Sequence, residues 1–265
     1  KVIEDCAQSL GARYQGKLTG RFGQIGMLSF GSDKIIACAR GGALITNDPK
    51  IGEKIKKLQA ELKPPSIIRT IQHLLHYPIF YIAKPLYHLY LGKIILKLAK
   101  IFNITNKIIY KKEKAGERDK FYPAKLANAL ANILCHQLDE IDSVVSHSQT
   151  IAKIYNEQIT NQQFKLLWKG DDIDLAGCAC LRYPVLTKLP KKLAAYAKKY
   201  GIILGDWYNQ TVAPKDINLA KTGYALGSCP QAELLAAQTI NLPTDRHITE
   251  KQAIKIVKIL NLYAD

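Results

Sequence analysis

With 265 residues and a 48% hydrophobic composition, the chain is long enough to bury the core of one large or two modest domains and too apolar for a disordered segment. Its six cysteines contain no Cys-x-x-Cys pair; this argues against a zinc or disulfide framework and reads as reduced thiols of a cytoplasmic protein. The net charge of +16 is uneven, with 17 Lys and Arg against 5 Asp and Glu in residues 50–125. Such a surface attracts phosphorylated ligands, anionic lipid or nucleic acid, but no zinc-finger spacing or RNP-like motif points to nucleic acid.

In chain order, Val2-Ile3-Glu4-Asp5 reads as a strand ending in acid, Ile25 to Phe30 as a second, and Ala43 to Thr46, after the Gly41-Gly42 turn, as a third. These short apolar runs suit a sheet buried on both faces. Because Lys1 leads straight into the first strand, the chain reads as the C-terminal piece of a longer protein. Asp48 is placed to cap a helix with Pro49 at its first position, running to about Leu62 and ended by Pro64-Pro65. Residues 66–110 are rich in Ile, Leu and Tyr, punctuated by lysines and broken or kinked by Pro78 and Pro85. No stretch of 18 residues there is free of charge, so a basic amphipathic pair of helices is expected rather than a spanning segment. Such a pair packs on the body or a second subunit, or lies on a membrane surface. A charged loop at 111–120 leads to one long amphipathic helix, roughly Pro123 to Thr160. Beyond it, a strand at Leu181–Leu186, a helix at Pro190–Tyr200, a strand at Ile202–Leu204 and helices at Pro230–Gln238 and Thr249–Leu262 make a small α/β lobe. The organisation read from this is 1–63, 64–120, 121–160 and 161–265.

The chemistry gathers at the start. Asp5 stands at a strand end, where a ligand-facing residue of a parallel sheet belongs, and Gln8 lies three residues on. Ser29 closes the next strand and Lys34 follows five residues later, with Arg40 and Gly41-Gly42 close behind. An acid, a hydroxyl and a lysine in this order suit pyridoxal 5'-phosphate (PLP), which takes a carboxylate on its ring nitrogen, a hydroxyl on its phosphate and an amine on its aldehyde.

Glu4-Asp5-Cys6-Ala7-Gln8, Gly23-Gln24-Ile25-Gly26, Ser29-Phe30 with Lys34, Gly41-Gly42 and Thr46-Asn47-Asp48 together resemble the PLP-binding domain of the DegT/StrS-type sugar aminotransferases. Cys229-Pro230-Gln231-Ala232-Glu233 and Asn241-Leu242-Pro243-Thr244 resemble the family's closing segment. The resemblance implies an α/β fold: the C-terminal part of a fold-type-I aminotransferase large domain with a mostly parallel sheet, a small C-terminal α/β domain and a helical apolar insertion. By residue, it makes Asp5 the partner of the pyridinium nitrogen, Gln8 a cofactor contact, Ser29 a phosphate ligand and Lys34 the Schiff-base lysine. It implies amino transfer, usually from glutamate, to a keto-sugar on a nucleotide diphosphate, and a homodimer with sites at the interface.

The sequence departs from the family pattern in three ways. The N-terminal part, with its phosphate-binding turn and ring-stacking aromatic, is missing, so the chain by itself is expected to be inactive. Phe121-Tyr122-Pro123-Ala124-Lys125 stands where an Asn-Tyr-Arg-like motif normally reaches the partner's phosphate; Lys125 could replace it by charge. The apolar basic segment is an insertion and gives 66–110 a possible peripheral membrane role. Trp207, Tyr208 and His247 are candidates for a sugar pocket. The competing readings are a dehydratase, disfavoured because such relatives carry His in place of Lys34, and a non-catalytic sensory or membrane-docking protein on the same scaffold.

Overall fold

A computed structural model describes residues 1–264 except His88, Ile108, 169–174 and Lys215. They form two compact units. The first comprises Lys1–Leu10, Lys17–Tyr110 and Arg118–Ile141; the second comprises Gly11–Gly16, Lys111–Glu117 and the chain from Asp142 onward.

Along the chain, β1 (Ile3–Asp5) is followed by the two-residue strands β2 (Arg13–Tyr14) and β3 (Lys17–Leu18) and then by β4 (Ile25–Ser29) and β5 (Gly42–Ile45); β1, β4 and β5 form the sheet of the first unit, and β2 belongs to the second. The sheet order is β1-β4-β5. β1 and β4 run parallel with Asp5 opposite Met27, whereas β5 runs antiparallel to β4 with Gly42 opposite Ser29. β5 is antiparallel because residues 30–41 form a loop with no crossover helix, which a parallel return requires. As edge strands, β1 and β5 leave Ile3 and Leu44 exposed, so the sheet is not buried on both faces.

Helix α1 (Pro49–Glu61) starts where the sequence places it: the Asp48 carboxylate accepts from the N–H groups of Lys50 and Ile51. The apolar basic segment forms α2 (Ile67–Ala83) and α3 (Leu91–Ile101), with Pro78 accommodated inside α2. Their connection is tight. A Cβ on Gly92 would lie 2.1 Å from the Ala83 carbonyl oxygen, so only glycine fits.

Past a single turn, α4 (Lys111–Lys114), the expected long helix is two helices, α5 (Asn128–Leu138) and α6 (Ile141–Gln158). The Glu140 N–H turns back to the Gln137 carbonyl, an i→i+3 bond that tightens and ends the last turn of α5. α5 covers the sheet: Leu130 and Leu134 pack with Phe30, Ile36 and Cys38 into the core of this unit.

In the second unit, β6 (Lys165–Leu166), β7 (Tyr183–Leu186) and β8 (Thr239–Leu242) form an antiparallel sheet in that order. It packs with α6, α7 (Pro190–Lys199) and α9 (Glu250–Asn261) around Tyr155, Tyr183, Leu193 and Leu260. α8 (Pro230–Gln238) precedes β8. Tyr155 donates to the Pro243 carbonyl and Tyr183 to Asn156 Oδ1, each at 2.8 Å. Thr249 and Gln252 close a capping box at the start of α9, the N-terminus read from the sequence. Residues Ile202–Leu204 are not a strand. After Gly201 ends α7 at φ +78°, pairing is limited to a single bridge between Gly205 and Asn241.

Candidate active site

The candidate residues sit at the C-terminal edge of the β1–β4 pair. Because Asp5 is opposite Met27, and Ser29 is two residues beyond Met27, strand alternation puts Asp5 and Ser29 on one face of the sheet. Asp5 is exposed, and its Oδ1 accepts from the Ala7 N–H at 3.0 Å. Gln8 is exposed on the turn that follows, which is not helical.

Lys34 lies in the 30–41 loop, and that loop is held at several points. The Phe30 N–H donates to Gly41 and the Cys38 N–H to Phe30, at 2.9 and 3.0 Å; the Lys34 N–H donates to Gly31 at 3.0 Å. From α5, Gln137 accepts from the Ala37 N–H at 3.1 Å and donates to its carbonyl at 2.7 Å. Asn106 donates to the Ala39 carbonyl at 2.9 Å, where the backbone takes φ +67°. This anchoring fixes the Lys34 side chain, which is only 12% exposed and whose Nζ lies 3.5 Å from Asp33 Oδ2. Burial pushes the neighbouring Cys38 thiol up to about 11, so it is protonated and unreactive near neutral pH.

Gly31 brings Ser29 and Lys34 together. A Cβ on Gly31 would have both Ser29 Oγ and Lys34 Cγ at 3.9 Å, and Asp33 Oδ1 at 3.0 Å. The hydroxyl and the lysine stem therefore border one small space that a side chain at position 31 would enter. Glu4, beside Asp5, braces the approach to β4. Its carboxylate accepts from the N–H groups of Gly20, Phe22 and Gly23 at 2.6–2.7 Å. Those bonds, that of Gly23 foremost, hold it below the usual carboxylate range.

Arg40 and Gly41-Gly42 line a different part of the first unit, a cavity of about 290 Å³ shared with Arg69, His73, Tyr122 and Lys125. The Arg40 guanidinium lies over the rings of Tyr110 and Tyr122 at 5.1 and 4.7 Å. Arg69 stacks on Phe121 at 3.2 Å and donates to the Tyr110 hydroxyl. Burial first, then Arg40, Arg69 and His76, push His73 down to about 4. In the second unit, Trp207 and Tyr208 stack at 5.3 Å with Arg182 over Trp207, while His247 is exposed on the turn after β8.

Sequence reasoning missed Asp33, Gln137, Arg69 and His73. Asp33 had a signal, being next to Lys34. Gln137 had no distinguishing signal, since it lies beside His136 at a polar end of α5. The roles of Arg69 and His73 depend on contacts from distant parts of the chain.

Comparison with known proteins identifies the pattern. Residues 1–65 and 100–261 match the model of the DegT/DnrJ/EryC1/StrS aminotransferase family. The chain is 24% identical over 264 residues to a pleiotropic regulatory protein of Geobacillus stearothermophilus, covering 99% of this chain and 58% of that one. It is 43% identical over 53 residues to the GDP-perosamine synthase of Escherichia coli O157:H7, covering 20% of this chain and 15% of that one. A DegT DnrJ EryC1 StrS aminotransferase from Brucella abortus superposes with a TM-score of 0.65 at 21% identity, over 98% of this chain and 56% of that one. The chain thus spans less than two thirds of the length of the relatives it matches end to end.

Proposed function

Because this chain belongs to the DegT/DnrJ/EryC1/StrS aminotransferase family, whose cofactor is pyridoxal 5'-phosphate, we propose that it binds that cofactor at Lys34 and transfers an amino group from glutamate to a nucleotide-linked keto-sugar. One observation carries the reading: Ser29 Oγ and Lys34 Cγ border the same space over Gly31, at the strand edge that also carries Asp5. A hydroxyl, an amine and a carboxylate are the donor set this cofactor needs, so the residues present fit it.

When bound, pyridoxal phosphate supplies an electron sink for negative charge developing at the amino acid's Cα. The Asp5 carboxylate accepts the ring N–H and keeps that nitrogen protonated. The Ser29 hydroxyl donates to a phosphate oxygen. The Lys34 amine would hold the cofactor through its aldehyde carbon, with loss of water, and, when freed by the incoming amino donor, would be the base placed to carry a proton between the amino acid's Cα and the cofactor's C4'. Asp33, 3.5 Å from that amine, holds it in position by charge. Gln8 is the proposed additional cofactor contact. The nucleotide-sugar acceptor draws on the family and on the relative named as a GDP-perosamine synthase; a homodimer is part of the same reading.

The test is the half-reaction of full-length protein with glutamate, followed as 2-oxoglutarate release. Release that Lys34→Ala lowers by at least about a thousandfold supports the proposal; no release from a folded, PLP-supplemented protein contradicts it. A second, regulatory reading is favoured by the regulatory name of the relative that aligns along 99% of the chain; it predicts no such release.

A further inference from the structure

The α2–α3 hairpin carries two apolar stripes that face outward. On α2, Ile67, Ile71, Leu75, Pro78 and Ile82 are exposed, spaced 4, 4, 3 and 4 residues apart along one side of the helix. On α3, Leu91, Ile94, Leu98 and Ile101 are exposed at the same helical spacing. The exposure is large: Ile67 is 79% exposed, Ile82 54% and Ile101 59%. The fully buried residues of these helices are small or polar, His73, His76 and Ala83 on α2 and Gly92 and Ala99 on α3, with Leu74 partly buried against the core of the unit. Helices that leave this many Ile and Leu side chains exposed are patterned for a second apolar phase.

Charge identifies that phase. Lys93, Lys97 and Lys100 lie side by side on α3, flanking its apolar stripe. From residue 62 to 112 the sequence has nine Lys and Arg and no Asp or Glu. Tyr81 and Tyr90 are 83% and 68% exposed, and a phenol suits the boundary between apolar and wet. Among the described residues no helix is long and apolar enough to cross a membrane, and residues 66–99 fall outside the match to the family model. A second copy docking by the same face would set these cations against each other.

We propose that the α2–α3 hairpin docks on an anionic lipid surface, its two stripes entering the headgroup–acyl boundary and its lysines reaching the headgroups. This goes beyond the aminotransferase reading and stands or falls independently of it, since neither Lys34 nor Ser29 takes part.

The test is co-sedimentation of the full chain with phosphatidylcholine vesicles with and without phosphatidylglycerol. Binding is expected to need the anionic lipid and to fall at least about tenfold in high salt. A Lys93→Gln, Lys97→Gln, Lys100→Gln variant is expected to lose about fivefold per lysine. An Ile94→Ser, Leu98→Ser variant removes only exposed side chains, so it folds, and circular dichroism checks that; it is expected to lose binding at any salt. Three results overturn the proposal: no sedimentation with anionic vesicles, variant binding equal to wild type, or a wild-type oligomer that the Ser variant dissolves while vesicles leave it untouched. The last would assign the stripe to another copy.

Discussion

Gln137 grips Ala37 by both of its backbone groups, accepting from the N–H at 3.1 Å and donating to the carbonyl at 2.7 Å. One side chain at the end of α5 thus stands in for a strand neighbour and pins the loop that carries Lys34. Gln137→Leu keeps the bulk of the side chain and removes both bonds. Leaving the two backbone groups unpaired is expected to cost about 2–4 kcal/mol, read as a lower urea midpoint. Amide exchange should quicken in residues 31–41 and stay unchanged in β7 and β8.

Gly31 should be a cofactor position rather than a stability position. Gly31→Val inserts its bulk toward Ser29 Oγ and Lys34 Cγ. The expected result is at least about a tenfold loss of PLP affinity with a Tm shift of only a few degrees, measured by cofactor titration and thermal melting. A large Tm loss with unchanged affinity would place the cofactor elsewhere.

Glu4 gives the first unit a predictable response to acid. Its folded-state value is depressed by three backbone N–H donors, so its contribution is fully present above the ordinary carboxylate value. That contribution is lost as the pH falls through the depressed one. Glu4→Gln is therefore expected to melt lower than wild type at neutral pH, with the gap closing in acid. A gap independent of pH would assign the effect to packing.

His73 sets a second pH window. Buried and held near 4 instead of its ordinary value of 6.5, it must lose its charge to fold when the pH lies between those values. Stability contributed by the neutral ring is complete above about 6.5 and falls away toward 4, by on the order of 3 kcal/mol. His73→Leu should flatten that slope in urea titrations from pH 7 to 4. An unchanged slope would show that the ring does not titrate in the window.

Much of this was legible in the sequence because the signals are local. Asp48, Pro49 and Thr249 marked helix starts by capping chemistry, and the alternation of apolar runs with Gly and Asp marked β1 and β4. The positions of Asp5 and Ser29 at the ends of adjacent strands, with Lys34 in the loop that follows, were legible because they follow from chain spacing. What failed depended on long-range geometry. The break between α5 and α6 rests on one tightened turn. Ile202–Leu204 has the composition of a strand but forms no ladder; the pairing is confined to the next residue, Gly205, which bridges Asn241. The clamp of Gln137 on Ala37 spans 100 residues, a distance over which no periodicity carries information.

The most direct measurement is the site of covalent attachment. Full-length protein is incubated with PLP, reduced with borohydride, digested and mapped by mass spectrometry. The pyridoxyl group is expected on Lys34, and it should disappear in Lys34→Ala without moving to another lysine. Label spread over exposed lysines, or retained unchanged in Lys34→Ala, would contradict the assignment of this loop as the cofactor anchor.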